Sequence, residues 1–318
     1  MSRAFHRATV LLLLLVSVST SVRCDVIIQE AHVEATIPQS GNVMGVGFDA
    51  VWMMSLATKK LIRIHPHDNS VTEIPIDGTV GPFANAGLAL GEGAVWVPDH
   101  GRSIIYKIDP TTNQVAKEIP ANLLGGGALG PRASDGIAVG ESSVWAITDN
   151  KELRRYSAES GNQQAAVSLP AHSSGVIVAF GSVWVTGTGN DELYRIDPTT
   201  DQVTATIDLH SNPRSLVAGD GSIWVCNEGD GTVQRIDGKN GEVIATIETG
   251  AVGQCATAFG GRSVWVSTRD QPFVQIDPGK NSVRGKYKVE IQGYSTIRFG
   301  SGSLWLSGRT VRRIKPPQ

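Results

Sequence analysis

Hydrophobic and polar residues along this chain follow one pattern, written seven times. Each copy centres on a tryptophan between apolar neighbours: Val51-Trp52-Met53, Val95-Trp96-Val97, Val144-Trp145-Ala146, Val183-Trp184-Val185, Ile223-Trp224-Val225, Val264-Trp265-Val266 and Leu304-Trp305-Leu306. These segments are continuously apolar, as a strand covered on both faces must be. Later in each copy apolar positions alternate with polar ones, as in Val203, Ala205, Ile207 and Val243, Ala245, Ile247, the period of a strand with one wet face. In the fifth copy four β-rich runs, 215–218, 222–226, 232–236 and 242–247, are separated by turn residues, so one copy predicts four short strands.

The tryptophans are spaced 44, 49, 39, 40, 41 and 40 residues apart, the period of blade-type β repeats. The expectation is an all-β, seven-bladed β-propeller of four-stranded antiparallel blades, with the tryptophans packed between blades as core. The last copy holds only three strand-like runs, 295–299, 303–307 and 310–314, before Pro316-Pro317. The segment Val33-Glu-Ala-Thr-Ile-Pro38 resembles the fourth strands Val203-Thr-Ala-Thr-Ile207 and Val243-Ile-Ala-Thr-Ile247. It is therefore expected to complete the last blade and cover its open edge.

Turn residues fit the same unit. Gly91-Glu-Gly93, Gly219-Asp-Gly221 and Gly300-Ser-Gly302 suit a tight hairpin that needs positive φ. In Asp109-Pro-Thr-Thr-Asn113, Asp197-Pro-Thr-Thr-Asp201 and Asp277-Pro-Gly-Lys-Asn281 the acid accepts backbone hydrogen bonds and Pro presets φ. These acids read as structural, since their spacing is wrong for the 12-residue calcium loop.

Residues 1–24 read as an export signal: Arg3 and Arg7 precede the apolar run 10–16 and the small residues Ser17, Ser19 and Ser21. The run is too short to span a bilayer, and Arg23 before Cys24 argues against lipid attachment. Residues 25–318 are then expected to form a single propeller domain, exported to a periplasmic or extracellular space, monomeric and without stable membrane insertion. A net charge of −2 argues against nucleic acid. Cys226 and Cys255 lie in neighbouring copies, either as a disulfide or as two separately buried thiols.

Candidate chemistry gathers where the chain enters the first strand and leaves the second strand of each blade, because those turns surround one mouth of the central channel. The entering positions, ten residues before each tryptophan, are Asn42, Ala86, Asp135, Ser174, Arg214, Cys255 and Ser295. The leaving turns add Asp99, His100, Asp149, Asn190, Asn227, Glu228, Arg269 and Arg309. Mixed carboxylates and guanidiniums suit a polar, anionic or zwitterionic ligand. They equally suit mutual pairing of Arg214, Arg269 and Arg309 with Asp99, Asp149 and Glu228. The ligand-binding candidates are Asn42, Asp99, Asp135, Asp149, Arg214, Asn227, Glu228, Arg269 and Arg309. A glycine-rich departure from the repeat, 120–134, is either a flap over this face or an inert insertion. The histidines show no metal spacing apart from His65-Pro66-His67, which replaces the Asp-Pro turn on the opposite face. No nucleophile elbow, CxxC pair or phosphate-binding loop occurs, and no stacking tryptophan or adjacent cysteine pair supports a quinone cofactor.

The phrase Gly-x-Gly-Ser-(Ile/Val)-Trp, with an Asn/Asp turn and Leu/Val-x-Arg-Ile-Asp after it, resembles the seven-bladed propellers that include the virginiamycin B (streptogramin) lyases and exported YVTN-type repeat proteins. The likeness covers residues 33–318. It implies the propeller fold and, for the lyases, elimination chemistry using His and Glu near the mouth with a magnesium ion. Those lyase repeats enter with Pro-His-Gly, whereas here no entering position is histidine; Asn212-Pro213-Arg214 keeps the proline and substitutes an arginine, which cannot act as a base at neutral pH. His172 stands two residues from its matching position. The expectation is a propeller that binds a small polar molecule or a protein at its mouth, without catalysis and without a cofactor. Two alternatives stay open: a lyase-like or hydrolytic enzyme with magnesium, using His100 with Glu228 or Asp149, and a pure interaction scaffold.

Overall fold

The computed structural model describes residues 27–41, 43–55, 58, 60–76, 87–123, 136–149, 151–268, 272–290, 293 and 296–318. The proposed signal, Cys24 and most of the glycine-rich departure lie outside them. All regular structure among the described residues is strand, arranged in seven sheets. Blade 5 shows the plan: Pro213–Gly219 lines the channel, and Ser222–Asn227, Thr232–Asp237 and Val243–Glu248 follow outward, each antiparallel to the last.

Ring closure follows the expectation. The sheet order of blade 7, outward, is Thr296–Gly300, Ser303–Ser307, Val311–Ile314 and then Val33–Ile37 from the other end of the sequence. Thr36 stands opposite Arg312, whose guanidinium donates to its hydroxyl at 2.6 Å. Beyond the expectation, Ile28–Glu30 adds a fifth, parallel strand to blade 6 beside Ser282–Lys288, with Ile28 opposite Lys286. The N-terminal segment thus joins the outer edges of two blades.

All seven tryptophans are fully buried. Trp224 Nε1 donates to the Gly219 carbonyl at 3.0 Å, and five other tryptophans repeat this bond to the end of their own first strand. A burial that would otherwise strand an indole donor is thereby satisfied. The third strand supplies a cation over the ring: Arg63, Lys107, Arg155, Arg195, Arg235 and Arg313 stand 4.8–5.5 Å from the ring centroids of their own blades. Four of these arginines donate through Nε to the serine two residues before the tryptophan, as Arg235 does to Ser222 at 2.8 Å. This is the physical reason for the serine and the arginine in the repeated phrase.

Hairpins and outer turns behave as their residues require. Asp220 (φ 52°) and Gly221 (φ 69°) form the two-residue turn between the first two strands, a conformation matched to strand twist. The preceding Gly219 has a second role unseen in the sequence: a Cβ there would lie 2.1 Å from the Phe259 ring of blade 6, so the glycine is a socket for its neighbour. Gly260 does the same for Phe299 of blade 7. In the outer turns Asp197 accepts from the Thr199 and Thr200 amides at 2.7 and 3.3 Å, which holds its carboxyl below the usual range. Asp109 and Asp237 do likewise.

Candidate ligand-binding site at the channel mouth

Among the described residues, the chain crossings that enter first strands and the turns that leave second strands lie at one end of the channel. Blade 5 contributes the best-defined cluster. Arg214 stands on its first strand, and Glu228 follows its second. They pair at 3.0 Å through Arg214 Nε and Glu228 Oε2, with the carboxylate side chain only 4% exposed. Asn212 Nδ2 donates to the same oxygen at 3.2 Å, and the Cys255 amide of blade 6 donates to Oε1 at 3.1 Å. A carboxylate so enclosed is satisfied on both oxygens, as a buried charge must be. For Arg214 the structure therefore realises mutual pairing, and its partner is Glu228 of the same blade.

Cys226 and Cys255 form a disulfide with a Cα–Cα distance of 6.5 Å, joining the second strand of blade 5 to the first strand of blade 6 beside this cluster. The choice between bonded and separate thiols is thus resolved. The segments flanking this cluster are also tied across blades: the Gly253 amide donates to the Glu228 carbonyl at 2.8 Å, and the Asn212 amide donates to Asp191 Oδ1 of blade 4 at 2.7 Å.

Other candidates are spread around the ring. Asp99, fully buried in blade 2, accepts the Gly101 and Arg102 amides through Oδ1 at 2.9 and 3.2 Å and so shapes its own turn. His100 next to it is buried in blade 2, three blades from Glu228, whose side chain is engaged by Arg214, Asn212 and Cys255. Asn227, also fully buried, donates to Thr232 Oγ1 and Gln234 Oε1 at 2.9 and 3.0 Å. Asn190 is exposed and accepts from the Tyr194 hydroxyl at 2.8 Å; burial pushes that phenol up to about 12, so it remains a donor. Ser174 shares a hydroxyl contact with Thr186 at 3.3 Å. Arg309 is exposed on blade 7, and the backbone of Asp149 ends the second strand of blade 3. Asn42, Ala86, Asp135, Arg269 and Ser295 lie outside the described residues.

Four buried side-chain atoms at the mouth ends of second strands have no hydrogen-bond partner: Asp99 Oδ2, Asn227 Oδ1, Thr268 Oγ1 and Ser307 Oγ. Sequence reading missed Thr268, Ser307 and Asn212. The first two could have been found by asking which residue ends each tryptophan strand, whereas Asn212 acts through a chain reversal that no periodicity reveals. No group of three or more His, Cys, Asp or Glu able to hold a metal occurs among the described residues. His65-Pro66-His67 lies in the outer turn of blade 1, where the Pro66 carbonyl accepts from Arg313. His172 is exposed, and its carbonyl accepts from Thr188 and Gly189.

The architecture is similar to that of known propellers. A streptogramin B lyase structure superposes with a TM-score of 0.74 at 18% identity, covering 90% of this chain and 96% of that one. A chain of a mitotic checkpoint complex superposes with a TM-score of 0.72 at 8% identity, covering 98% and 99%. The likeness is one of fold. The family model described as outer membrane protein assembly factor BamB matches residues 149–295 of the propeller. No curated protein matches its sequence.

Proposed function

We propose that this propeller binds a polar ligand or protein partner at its channel mouth and performs no chemistry of its own. The observation that carries this reading is the set of polar head groups accessible at this end of the channel: Asn190 and Arg309 are exposed, and Arg214 is 15% exposed where it pairs with Glu228. Guanidiniums beside an amide suit a ligand that carries a carboxylate or hydroxyls. The enclosure of Glu228 supports the same reading, because a carboxylate engaged on both oxygens is poorly disposed to take a proton.

A protein occupant is favoured by a separate observation, the match of residues 149–295 to the model of BamB, an assembly factor for outer membrane proteins. Export fits the Cys226–Cys255 disulfide, since such bonds persist in oxidising compartments. No helix among the described residues is long and apolar enough to cross a membrane.

The test is a thermal-shift screen of amines, amino acids and sugars against the full chain, repeated on Asn190→Ala and Arg309→Ala. Ligands that stabilise the parent and lose that effect in the variants support the mouth as the site. A turnover abolished by His100→Ala and Glu228→Gln would overturn the non-catalytic reading in favour of an enzyme. A macromolecular partner captured with no small-molecule effect would make the mouth a protein-docking face.

A further inference from the structure

A cleft of about 460 Å³ lies beside the outer edges of blades 6 and 7, where the chain passes from Ile28–Glu30 to Val33–Ile37. Glu30 and His32 line it from that crossing, Arg284 and Tyr287 from the fourth strand of blade 6, and Lys315 from the end of the last strand. Arg284 and Lys315 are exposed, and neither forms an ion pair with a described residue. Glu30, the one acidic side chain among the described residues of the lining, is held by Lys288 at 2.7 Å. The cleft thus presents two cations that no described acid pairs, on a chain whose net charge is −2.

A second, independent feature adjoins these cations. Ile28–Glu30 is the outermost strand of its sheet, so one edge of its backbone has no neighbouring strand among the described residues. All three of its residues are exposed, and Ile27 and Ile28 are 79% and 50% exposed. An edge of free amides and carbonyls is a template for one more strand, and half-exposed branched side chains beside it give such a strand an apolar contact. The frame of the cleft is fixed. The Tyr287 hydroxyl donates to Gln275 at 3.0 Å, and the Lys315 amide donates to the His32 carbonyl at 3.0 Å, which ties the end of the last strand to the N-terminal crossing.

We propose that this cleft and strand edge dock an extended acidic segment of a partner protein. The segment adds a strand beside Ile28–Glu30, where main-chain hydrogen bonds supply affinity, and its carboxylates reach Arg284 and Lys315. The guanidinium matches a carboxylate bidentately, and the ammonium attracts one as a point charge. A basic segment would meet Arg284, Lys315 and Lys288 as like charges, which sets the sign of the partner. A helical segment, or a small anion on the two cations, would leave the strand edge unused, so the edge calls for an extended chain.

The experiment is fluorescence anisotropy of the full chain with a dye-labelled octapeptide of alternating valine and glutamate, and with its glutamine counterpart. At low salt the glutamate peptide should bind at least about tenfold more tightly, and the difference should fall below about threefold at about 0.5 M salt, where exposed charges are screened. Arg284→Gln and Lys315→Gln should each weaken the glutamate peptide about two- to fivefold, the scale of exposed ion pairs, and leave the glutamine peptide unchanged. Gln29→Pro removes an amide from the short strand and should weaken both peptides by a similar factor. Should Gln29→Pro disturb the fold, the two exposed-cation variants and the peptide ratio on the parent decide. Arg309→Ala, at the mouth, should change neither affinity. Equal affinities for the two peptides, an unchanged glutamate affinity when Arg284→Gln and Lys315→Gln are combined, or full displacement of the glutamate peptide by an equal concentration of inorganic phosphate would each overturn the docking site. None of these three results bears on the mouth proposal, which stands on Asn190 and Arg309.

Discussion

Arg235 lies over Trp224, 4.8 Å from the ring centroid, and donates to the Pro278 carbonyl of the next blade at 2.7 Å. The same side chain also reaches Asn281 Oδ1 at 2.9 Å. Equivalent cations span every interface from blade 7 round to blade 6: Arg313 to Pro66, Arg63 to Pro110, Lys107 to Ala158, Arg155 to Pro198, Arg195 to Lys239 and Arg235 to Pro278. At the interface between blades 6 and 7 the third-strand residue is Gln275 instead. There the outer strands of blade 7 come from opposite ends of the sequence, so no Asp-Pro turn offers a carbonyl. Gln275 turns inward and bonds Ser263 and the Tyr287 hydroxyl at 2.9 and 3.0 Å.

Arg235→Leu should therefore destabilise the fold by about 2–4 kcal/mol, since it removes a partly buried cation–π contact, the hydrogen bonds to Ser222, Pro278 and Asn281 and the ion pair with Asp220. Gln275→Arg should also destabilise it, because Gln275 is buried and an arginine there has no turn to reach. Urea unfolding midpoints of the two variants check both signs. A stabilising Gln275→Arg would contradict the explanation.

Gly260→Ala should cost about 1–3 kcal/mol, as overpacking does, since its Cβ would lie 1.9 Å from the Phe299 ring. Adding Phe299→Ala should remove most of the penalty assigned to the glycine, giving a non-additive double-mutant cycle. Additive costs would show that the glycine matters for its turn alone.

Arg214→Ala should destabilise by about 3 kcal/mol by leaving the buried Glu228 carboxylate without its cation. Glu228→Gln should cost about 1–2 kcal/mol, because the amide oxygen can still accept from the Cys255 amide. The double variant should be less destabilised than the sum, measured by chemical denaturation.

The outer-turn acids set an acid limit. Asp109, Asp197 and Asp237 titrate below their ordinary 3.8 in the folded chain, because backbone amides donate to their charged form. A depressed folded value means stability that is present in full above 3.8 and is lost as pH falls through the folded values. Melting temperature should decline steadily below about pH 4. Asp197→Asn should flatten that decline, and an unchanged acid slope would show that the turn carboxylates contribute nothing.

Local rules carried much of the architecture. The tryptophan strands, the alternating outer strands and the outer-turn aspartates each follow from residue type and spacing, and the likeness of 33–38 to the fourth strands foretold the ring closure. The parallel strand Ile28–Glu30 was not legible, because it pairs with blade 6 across some 250 residues and three residues carry no period. At the mouth, residue types located the turns but not the partners. Arg214 pairs within its own blade because the first and second strands are adjacent, which brings its guanidinium beside Glu228. Arg298 also went unnoticed: it stands opposite Trp305, where the other six copies place a small or apolar residue.

The closed ring is the claim on which the channel mouth depends, and a cross-link tests it most directly. Thr36→Cys with Arg312→Cys places two thiols opposite each other on strands from the two ends of the sequence. The structure predicts an intramolecular bond formed in high yield on mild oxidation, with a raised unfolding midpoint. Free thiols, or bonds formed between molecules, would contradict the closure of blade 7 by residues 33–37.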